Sequence, residues 1–169
     1  MTNTIACVEK ADVILITGSN TTENHPVISA GIKRAVQSGR TRLIVVDPRR
    51  IKVTEFADSY LRPNLGTDVA WINGMMNVII AEDLYDKSFV AERTEDFDAL
   101  QAMVAKYTPE YVEPITGIPA EQLREAARLY ARAKVGNIVY CMGITQHTCG
   151  TDNVKSLANL AMLCGNLGM

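Results

Sequence analysis

A glycine and a group of short polar side chains follow the first apolar run of the chain, and their types suit the binding of an anion. The run at residues 13–16 ends close to Gly18, and Pro26 then opens a helical pattern. A strand that leads into a helix N-terminus presents free backbone N–H groups and the positive end of the helix dipole. The candidate binding residues of this segment are Gly18, Ser19, Asn20, Glu23, Asn24 and His25.

Two familiar phosphate-binding patterns are missing from this segment. No glycine lies between Gly18 and Gly31, so neither G-x-G-x-x-G nor G-x-x-x-x-G-K-[ST] occurs here. An ordinary dinucleotide fingerprint or a P-loop is therefore disfavoured. The alternative that these residues only form a capped turn between a strand and a helix stays open, because a fold does not imply a function. His25 in particular could cap the start of the helix instead of binding a ligand.

Three further strand ends carry polar residues of the same kind. The carboxyl ends of parallel strands meet at one edge of an open sheet, and ligands bind there. Asp47 follows the second strand, where an acidic group accepts hydrogen bonds from ribose hydroxyls or a guanine edge. The four strand ends together favour a nucleotide-like ligand. The further candidate residues are Asp47, Pro48 and Arg49, then Gly66, Thr67 and Asp68, and finally Met142, Gly143 and Gln146.

The apolar periodicity predicts the elements that position these residues. Strand, helix and strand in this spacing form a right-handed parallel βαβ unit. We therefore predict a single α/β domain over residues 1–169, with an open, parallel, Rossmann-like sheet of order 3-2-1-4 and helices on both faces. A helical insertion is predicted near 83–116. The predicted strands lie near 12–17, 42–46, 57–61 and 136–141.

Two helices can be given a core-facing side from the spacing of their residues. The helix that begins at Pro26 is predicted to place on one face Val27, Ala30, Gly31, Arg34 and Ala35. A later helix begins with Thr67 or Asp68 as its N-cap. Its methionines, Met75 and Met76, fall on an apolar stripe and are interpreted as core residues rather than as part of a cofactor site.

The composition excludes several classes of function. With 47% hydrophobic residues and a net charge of −2 over 169 residues, nothing indicates a nucleic-acid partner or an anionic membrane surface. The sequence contains no apolar run of membrane-spanning length and no recognisable signal peptide. We expect a cytoplasmic protein, with a periplasmic one still open because both ends of the chain look cut. The cut appearance of the two chain ends suggests a fragment of a larger enzyme.

The cysteines and histidines do not form a metal site or a catalytic set. No C-x-x-C pattern occurs, and neither histidine is spaced from a cysteine as a metal ligand would be. No Ser–His–Asp or Cys–His set is recognisable, so we expect no catalytic residue and no metal ligand within this chain. Reduced thiols are the simpler interpretation of Cys7, Cys141, Cys149 and Cys164.

Several of these segments match one known family in their order and spacing. They are Gly18-Ser19-Asn20 with His25-Pro26, Val46-Asp47-Pro48-Arg49, Leu65-Gly66-Thr67-Asp68, Met142-Gly143-Ile144-Thr145-Gln146-His147 and residues 156–168. The chain resembles the molybdopterin-dependent oxidoreductases that carry bis-(molybdopterin guanine dinucleotide). Within that family it is most similar to the alpha subunits of formate dehydrogenases, and the likeness covers nearly the whole chain.

The resemblance implies a role for each strand end. Residues 18–25 would hold phosphate and pterin-side groups, and Asp47 and Arg49 would face the guanosine. The guanine end would be hydrogen-bonded by Gly66, Thr67 and Asp68, and the pterin side near the metal would be approached by Met142 and Gln146. Such roles suit the residue types, because carboxylates accept from guanine N–H donors and backbone N–H groups bind pyrophosphate. The family's 4Fe-4S cluster and its selenocysteine or cysteine ligand to molybdenum or tungsten have no counterpart here.

The resemblance therefore implies the first cofactor-cradling α/β domain of an enzyme that oxidises formate to CO2 by two electrons. Its implied partners are the rest of the alpha subunit and electron-transfer subunits, and the isolated chain is expected to be inactive. Three alternatives stay open. They are a domain of another family member such as a nitrate reductase-like enzyme, a non-catalytic nucleotide-binding module similar to the central domains of thiamine-diphosphate enzymes, and an interaction domain.

Overall fold

A four-stranded parallel sheet lies between two layers of helices in this computed structural model, which describes residues 4–168. The sequence of residues 2–10 predicts a weak helix, and its residues 2 and 3 lie outside the described residues. The strands are β1 (Val13–Thr17), β2 (Arg42–Val46), β3 (Ser59–Leu61) and β4 (Gly136–Tyr140). The helices are α1 (Ile5–Val8), α2 (Thr21–Asn24), α3 (Pro26–Gln37), α4 (Asp68–Ala81), α5 (Lys87–Arg93), α6 (Phe97–Val104), α7 (Pro109–Thr116), α8 (Ala120–Ala131), α9 (Met142–Thr145) and α10 (Gly150–Leu163), with a 3-10 helix at Lys52–Phe56.

The strand order is β3-β2-β1-β4, which confirms the predicted order and the parallel sheet. Val13 pairs with Arg42 on one side and with Gly136 on the other, so β2 and β4 start level with β1. The chain reverses its direction of winding between β1 and β4. Open sheets of this kind bind ligands outside the carboxyl ends of the strands beside such a reversal, and we refer to that region as the crevice.

Alternate residues of the strands enter two separate cores. Val13 and Leu15 face one layer of helices, and Ile14 and Ile16 face the other. All four are almost completely buried. Burial on both faces explains why the strands read as continuous apolar runs instead of alternating apolar and polar residues.

Helix α4 forms the centre of the larger core. It is buried around most of its circumference, because α7, α8 and α10 all pack against it. Met75 and Met76 are both fully buried, which confirms their interpretation as core residues. Gly74 brings α4 close to its neighbours, since a Cβ atom there would lie 2.8 Å from Leu123 Cδ2. The helical insertion is confirmed as α5, α6 and α7 between β3 and α8.

The predicted inner face of α3 is partly wrong. Gly31 and Ala35 are buried as expected, but Val27 is 84% exposed and Ile32 is buried. Ile32 and Ala35 set the phase of the helix, and Val27 lies well away from that stripe on a helical wheel. Val27 also sits in the first turn, beyond the end of the sheet that the helix covers.

Two segments that were expected to be loops contain a turn of helix. Residues of α2 occupy the middle of the segment 18–25, and residues of α9 follow β4 directly. Their sequences, TTEN and MGIT, are too short for an apolar period, so the spacing of residues gives no helical signal. These turns move the polar side chains away from the strand ends and arrange them around the crevice.

Two glycines bring the ends of β1 and β4 into direct backbone contact. The Gly143 N–H donates to the Gly18 carbonyl oxygen at 3.0 Å. Gly18 has a φ of +57°, and a Cβ atom added there would lie 2.7 Å from the Gly143 carbonyl carbon. A Cβ atom on Gly143 would lie equally close to the Gly18 backbone. Neither position therefore accommodates a side chain without a shift of the backbone.

Gly18→Ala is expected to lower the free energy of unfolding by roughly 2–5 kcal/mol, measured by urea denaturation. About 1–2 kcal/mol comes from the left-handed backbone and the rest from the clash with Gly143. Gly39→Ala is the matched control, because Gly39 also has a positive φ of +73° but has open space around it. Equal losses in the two variants would show that the contact between the two strand ends is unimportant for stability.

Candidate functional site

Three long helices begin at the carboxyl edge of the sheet, and none of them is capped by a side chain. Helices α3, α4 and α10 follow β1, β3 and β4, and no side chain accepts a hydrogen bond at any of their N-caps. The first N–H groups of a helix have no partner within the helix. This edge therefore offers free donors and three positive dipole ends to an anionic group.

The end of β1 adds two buried polar atoms that lack partners. Asn20 Oδ1 and Thr21 Oγ1 have no hydrogen bond within residues 4–168. Asn20 donates through Nδ2 to Glu23 Oε2 at 2.9 Å, and Ser19 is almost completely buried. A buried polar atom without a partner is unfavourable by about 1–3 kcal/mol. A ligand or an ordered water that bonds to these atoms would remove that penalty.

Asp47 lies at the end of β2 with only 2% of its surface exposed. Its Oδ1 accepts from the Arg49 backbone N–H at 2.9 Å and faces the Arg49 Nε at 3.5 Å. Tyr60 donates from its hydroxyl to the Asp47 carbonyl oxygen, and burial raises the pKa of Tyr60. In the described part of the chain the bonds to the carboxylate all fall on Oδ1, which leaves Oδ2 to accept from a ligand.

Asp68 is the first residue of α4, and its side chain is 13% exposed. Its Oδ1 accepts from Trp71 Nε1 at 3.3 Å, and its Oδ2 lies 4.0 Å from His147 Nε2. Burial raises the pKa of Asp68, while the Trp71 hydrogen bond and the charge of a protonated His147 oppose that rise. The negative charge of Asp47 acts on Asp68 in the same direction as burial, so the two carboxylates belong to one electrostatic site.

The turn after β4 is held from beneath by two side chains. Asn153 donates to the Ile144 carbonyl oxygen at 3.0 Å, and His147 Nε2 lies 2.8 Å from the Gly143 carbonyl oxygen. Met142 is 58% exposed above this turn, and Gln146 is exposed beside it. The backbone of the turn is therefore fixed by these two hydrogen bonds, while its exposed side chains remain open to a ligand.

A comparison with known proteins gives the family. The family model for molybdopterin oxidoreductase matches residues 1–169. The chain belongs to the molybdopterin oxidoreductase family. This confirms the resemblance drawn from the ordered motifs at the four strand ends.

The relatives of this molybdopterin oxidoreductase chain include formate dehydrogenases. It is 51% identical over 168 residues to the F420-dependent formate dehydrogenase subunit alpha of Methanocaldococcus jannaschii, and 44% identical over 168 residues to formate dehydrogenase H of Escherichia coli. Each match covers 99% of this chain but 25% and 23% of the relative. The chain thus spans about a quarter of the length of these curated relatives.

A solved structure of the same family has the same fold. The acetylene hydratase from Pelobacter acetylenicus superposes with a TM-score of 0.89 at 33% identity. That match covers 95% of this chain and 22% of the other. The fold is therefore shared with an enzyme whose named reaction differs from that of the formate dehydrogenases.

Membership of the family implies a molybdopterin cofactor, and the carboxyl edge fits such a group. Its uncapped helix ends suit phosphate oxygens, and its carboxylates suit the N–H donors of a guanine ring. Gly18 and Gly143 hold the ends of β1 and β4 in direct backbone contact at this edge. Asn20 Oδ1 and Thr21 Oγ1 are buried polar atoms without a hydrogen-bond partner among the described residues.

Not all of the predicted site residues come together. Glu23, Asn24 and His25 are exposed at the start of α3, and no hydrogen bond among the described residues ties them to Asp47 or Asp68. His25 occupies the N-cap position of α3, but its side chain makes no capping bond. The capping alternative for His25 is therefore not supported, and its ligand role stays a prediction.

The loop before α4 differs in detail from the prediction. Thr67 is the N-cap of α4 by its backbone, but its hydroxyl donates to the Asn64 carbonyl oxygen at 2.7 Å instead of capping the helix. Gly66 has a φ of +75° and is exposed, with open space where a Cβ atom would lie. Pro48 is half-buried and Arg49 is exposed beside Asp47.

Three residues of the site were missed from the sequence. Trp71 stands three residues after Asp68, a spacing that places both on one side of a helix, so this contact could have been predicted. Tyr60 and His147 reach Asp47 and Asp68 from other elements. Such contacts depend on the tertiary fold, and no local pattern indicates them.

Two of the four cysteines, Cys141 and Cys149, are the N-cap residues of α9 and α10 beside the turn after β4. All four are free, and burial raises the pKa of the Cys164 thiol to about 12. Between residues 4 and 168, no group of three or more His, Cys, Asp or Glu side chains is placed to hold a metal ion. In the same part of the chain, no helix is both long and apolar enough to cross a membrane.

Asp68→Asn is expected to raise the free energy of unfolding at pH 7. The raised pKa of Asp68 means that the native state binds its proton more tightly than the unfolded chain does. The contribution of Asp68 to stability is therefore fully present below its ordinary pKa and is lost as the pH rises through its folded pKa. Urea denaturation from pH 3 to 8 should show a gain for Asp68→Asn that fades toward pH 3.

Asp152→Asn is the control for this measurement. Asp152 also lies in the first turn of a long helix, α10, but it is exposed. Its replacement should give no gain at pH 7 and a small loss, because the ionised carboxylate faces the positive helix end. A lower stability of Asp68→Asn at pH 7 would contradict the interpretation that the buried carboxylate is unfavourable in the free protein.

Proposed function

We propose that this chain binds one guanine dinucleotide arm of a bis-(molybdopterin guanine dinucleotide) cofactor in the alpha subunit of a formate dehydrogenase. The observation that carries the proposal is the occurrence at one edge of a buried carboxylate, Asp47, a half-buried carboxylate, Asp68, and three uncapped helix N-termini. A guanine dinucleotide has this same division, with N–H donors on its base and negative charge on its pyrophosphate.

Helix α3 and the end of β1 would bind the pyrophosphate. Its oxygens would accept from free N–H groups at the start of the helix, and Ser19 and Thr21 could donate from their hydroxyls. Gly18 lets the end of β1 pack directly against the Gly143 backbone, which fixes the segment that would face the phosphates. The phosphate charge would also interact favourably with the positive end of the α3 dipole.

Asp47 and Asp68 would bind the guanosine. An ionised carboxylate only accepts hydrogen bonds, so it selects a base edge or a ribose that presents donors. Guanine presents N1–H and N2–H donors side by side, and adenine lacks this pair. The exposed residues Arg49 and Gly66 and the half-buried residues Pro48 and Thr67 would border this end of the ligand.

The turn after β4 would face the pterin end. Met142, Gly143 and Gln146 are exposed above the crevice and have no large side chain over them in the described part of the chain. Val27 and Leu65 are also largely exposed near the same edge. Exposed apolar side chains around a polar crevice favour contact with a further part of the protein. We propose that the remainder of the alpha subunit covers this edge.

When bound, the cofactor would supply the two-electron redox chemistry with molybdenum or tungsten. This chain would orient it by holding its guanosine and pyrophosphate, while the metal ligand, a 4Fe-4S cluster and electron-transfer subunits would lie elsewhere. The proposal of formate as substrate rests on the relatives at 51% and 44% identity. It does not rest on the fold, because the acetylene hydratase shares that fold.

Equilibrium dialysis of the purified chain with GMP, GDP and NAD tests the guanine site. Binding of GDP in preference to NAD is expected. Asp47→Asn should weaken GDP binding about 10- to 150-fold, because hydrogen bonds to a charged acceptor contribute roughly 1.5–3 kcal/mol. Asparagine keeps an oxygen that can accept from the Arg49 N–H, so the local turn is preserved.

Asp12→Asn is the control at the opposite edge of the sheet. Asp12 also sits at a strand end and accepts a backbone hydrogen bond, from the Val135 N–H at 3.0 Å. Its replacement should leave GDP affinity unchanged. Equal weakening in both variants, or a preference for NAD, would favour a general nucleotide-binding module and reject the guanine assignment.

The isolated chain is expected to show no formate-dependent reduction of a viologen dye. It offers residues for one arm of the cofactor, whereas the reaction needs both arms, a metal ligand and an electron acceptor. The same assay on a longer polypeptide that contains this chain and is loaded with cofactor should be positive. Formate-dependent turnover by the isolated, metal-free chain would overturn this placement of the chemistry.

A further inference from the structure

His147 stands between two arms of the site without belonging to the residues assigned to the ligand. Its Nε2 lies 2.8 Å from the Gly143 carbonyl oxygen and 4.0 Å from Asp68 Oδ2. Gly143 belongs to the turn after β4, and Asp68 begins α4. One ring nitrogen therefore faces both the turn and the carboxylate.

The protonation of this nitrogen follows from its partner. A carbonyl oxygen only accepts hydrogen bonds, so Nε2 must carry the hydrogen atom that bonds Gly143. Gly143 is then held through both of its backbone groups. Its N–H donates to the Gly18 carbonyl oxygen, and its own carbonyl oxygen accepts from His147 Nε2. When Nδ1 also binds a proton, the ring becomes a cation directed at Asp68.

The low exposure of both side chains strengthens the interaction between a protonated His147 and the Asp68 carboxylate. The side chains of His147 and Asp68 are 27% and 13% exposed, so water screens their interaction only in part. The other groups that act on the Asp68 carboxylate are Trp71, which donates to Oδ1, the backbone N–H of Asp68 itself, and Asp47, which adds a negative charge. Protonated His147 is thus the cation that opposes the burial of Asp68 and its repulsion by Asp47.

We propose that His147 is a positioning residue that couples the glycine contact between β1 and β4 to the guanine-binding carboxylate. Its neutral ring fixes the turn at Gly143, and its cationic form holds Asp68 Oδ2 ionised and directed across the crevice. The proposal rests on the proposed function, because Asp68 is there the acceptor for the base. The coupling acts whenever the His147 ring carries its positive charge.

A carboxyl titration by NMR tests the coupling without any ligand. The Asp68 side-chain carbon is followed from pH 3 to 8 in the 169-residue chain and in His147→Gln. Glutamine keeps an N–H donor for the Gly143 carbonyl but has no charge. Removing the cation should move the Asp68 titration midpoint to higher pH. His25→Gln is the matched control, and it should leave the midpoint unchanged because His25 makes no contact with Asp68.

A second measurement needs no change at His147. The His147 ring carbons of the unaltered chain should show an additional inflection at the pH where Asp68 titrates, and Asp68→Asn should abolish it. An unmoved Asp68 midpoint in His147→Gln, together with a single His147 inflection, would overturn the proposal. His147 would then be a structural support for the turn only.

The consequence for binding is measured with GDP by dialysis at several pH values. Affinity should fall as Asp68 becomes protonated, and in His147→Gln this fall should occur at higher pH than in the unaltered chain. If GDP does not bind at any pH, the guanine assignment fails. The carboxyl titration still decides whether His147 controls Asp68, so the two failures are distinguishable.

Discussion

The hydrogen bond from the Gly143 N–H to the Gly18 carbonyl determines the geometry of the carboxyl edge. It joins the ends of β1 and β4 at the point where the winding of the sheet reverses, and it needs glycine on both sides. A side chain at either position would push the strand ends apart and fill the crevice. The same contact sets where α9 begins, and through α9 it sets the position of His147 against α4.

The site also shows how binding and stability compete. Burial, with a further contribution from the charge of Asp47, raises the pKa of Asp68, and the ends of three helices lack side-chain caps. Each of these features is unfavourable in the free chain. Each would become favourable when a bound ligand supplies hydrogen-bond donors to the carboxylates and negative charge to the helix ends. The hydrophobic packing of α4 between α7, α8 and α10 provides the rigid support that such an edge requires.

The sequence was sufficient for the sheet, because buried parallel strands leave continuous apolar runs and their crossovers have a fixed hand. It was also sufficient for Met75 and Met76, whose spacing marks a core. It failed for α3, where Val27 is apolar but exposed, and for the polar turns α2 and α9, which have no period to detect. Contacts such as that of His147 with Asp68 join distant parts of the chain and follow only from the assembled fold.

The strand order has a consequence for how the chain is made. β1 is central, yet its partner β4 comes so late that the bond from the Val135 N–H to Asp12 joins residues 123 positions apart. During synthesis the first βαβ unit forms with one bare edge on β1, while the helices of the insertion are still being added. Such an edge can recruit strands from other chains. The pairing of β4 with β1 therefore covers this edge of the sheet and completes the carboxyl edge through a contact between residues far apart in the sequence.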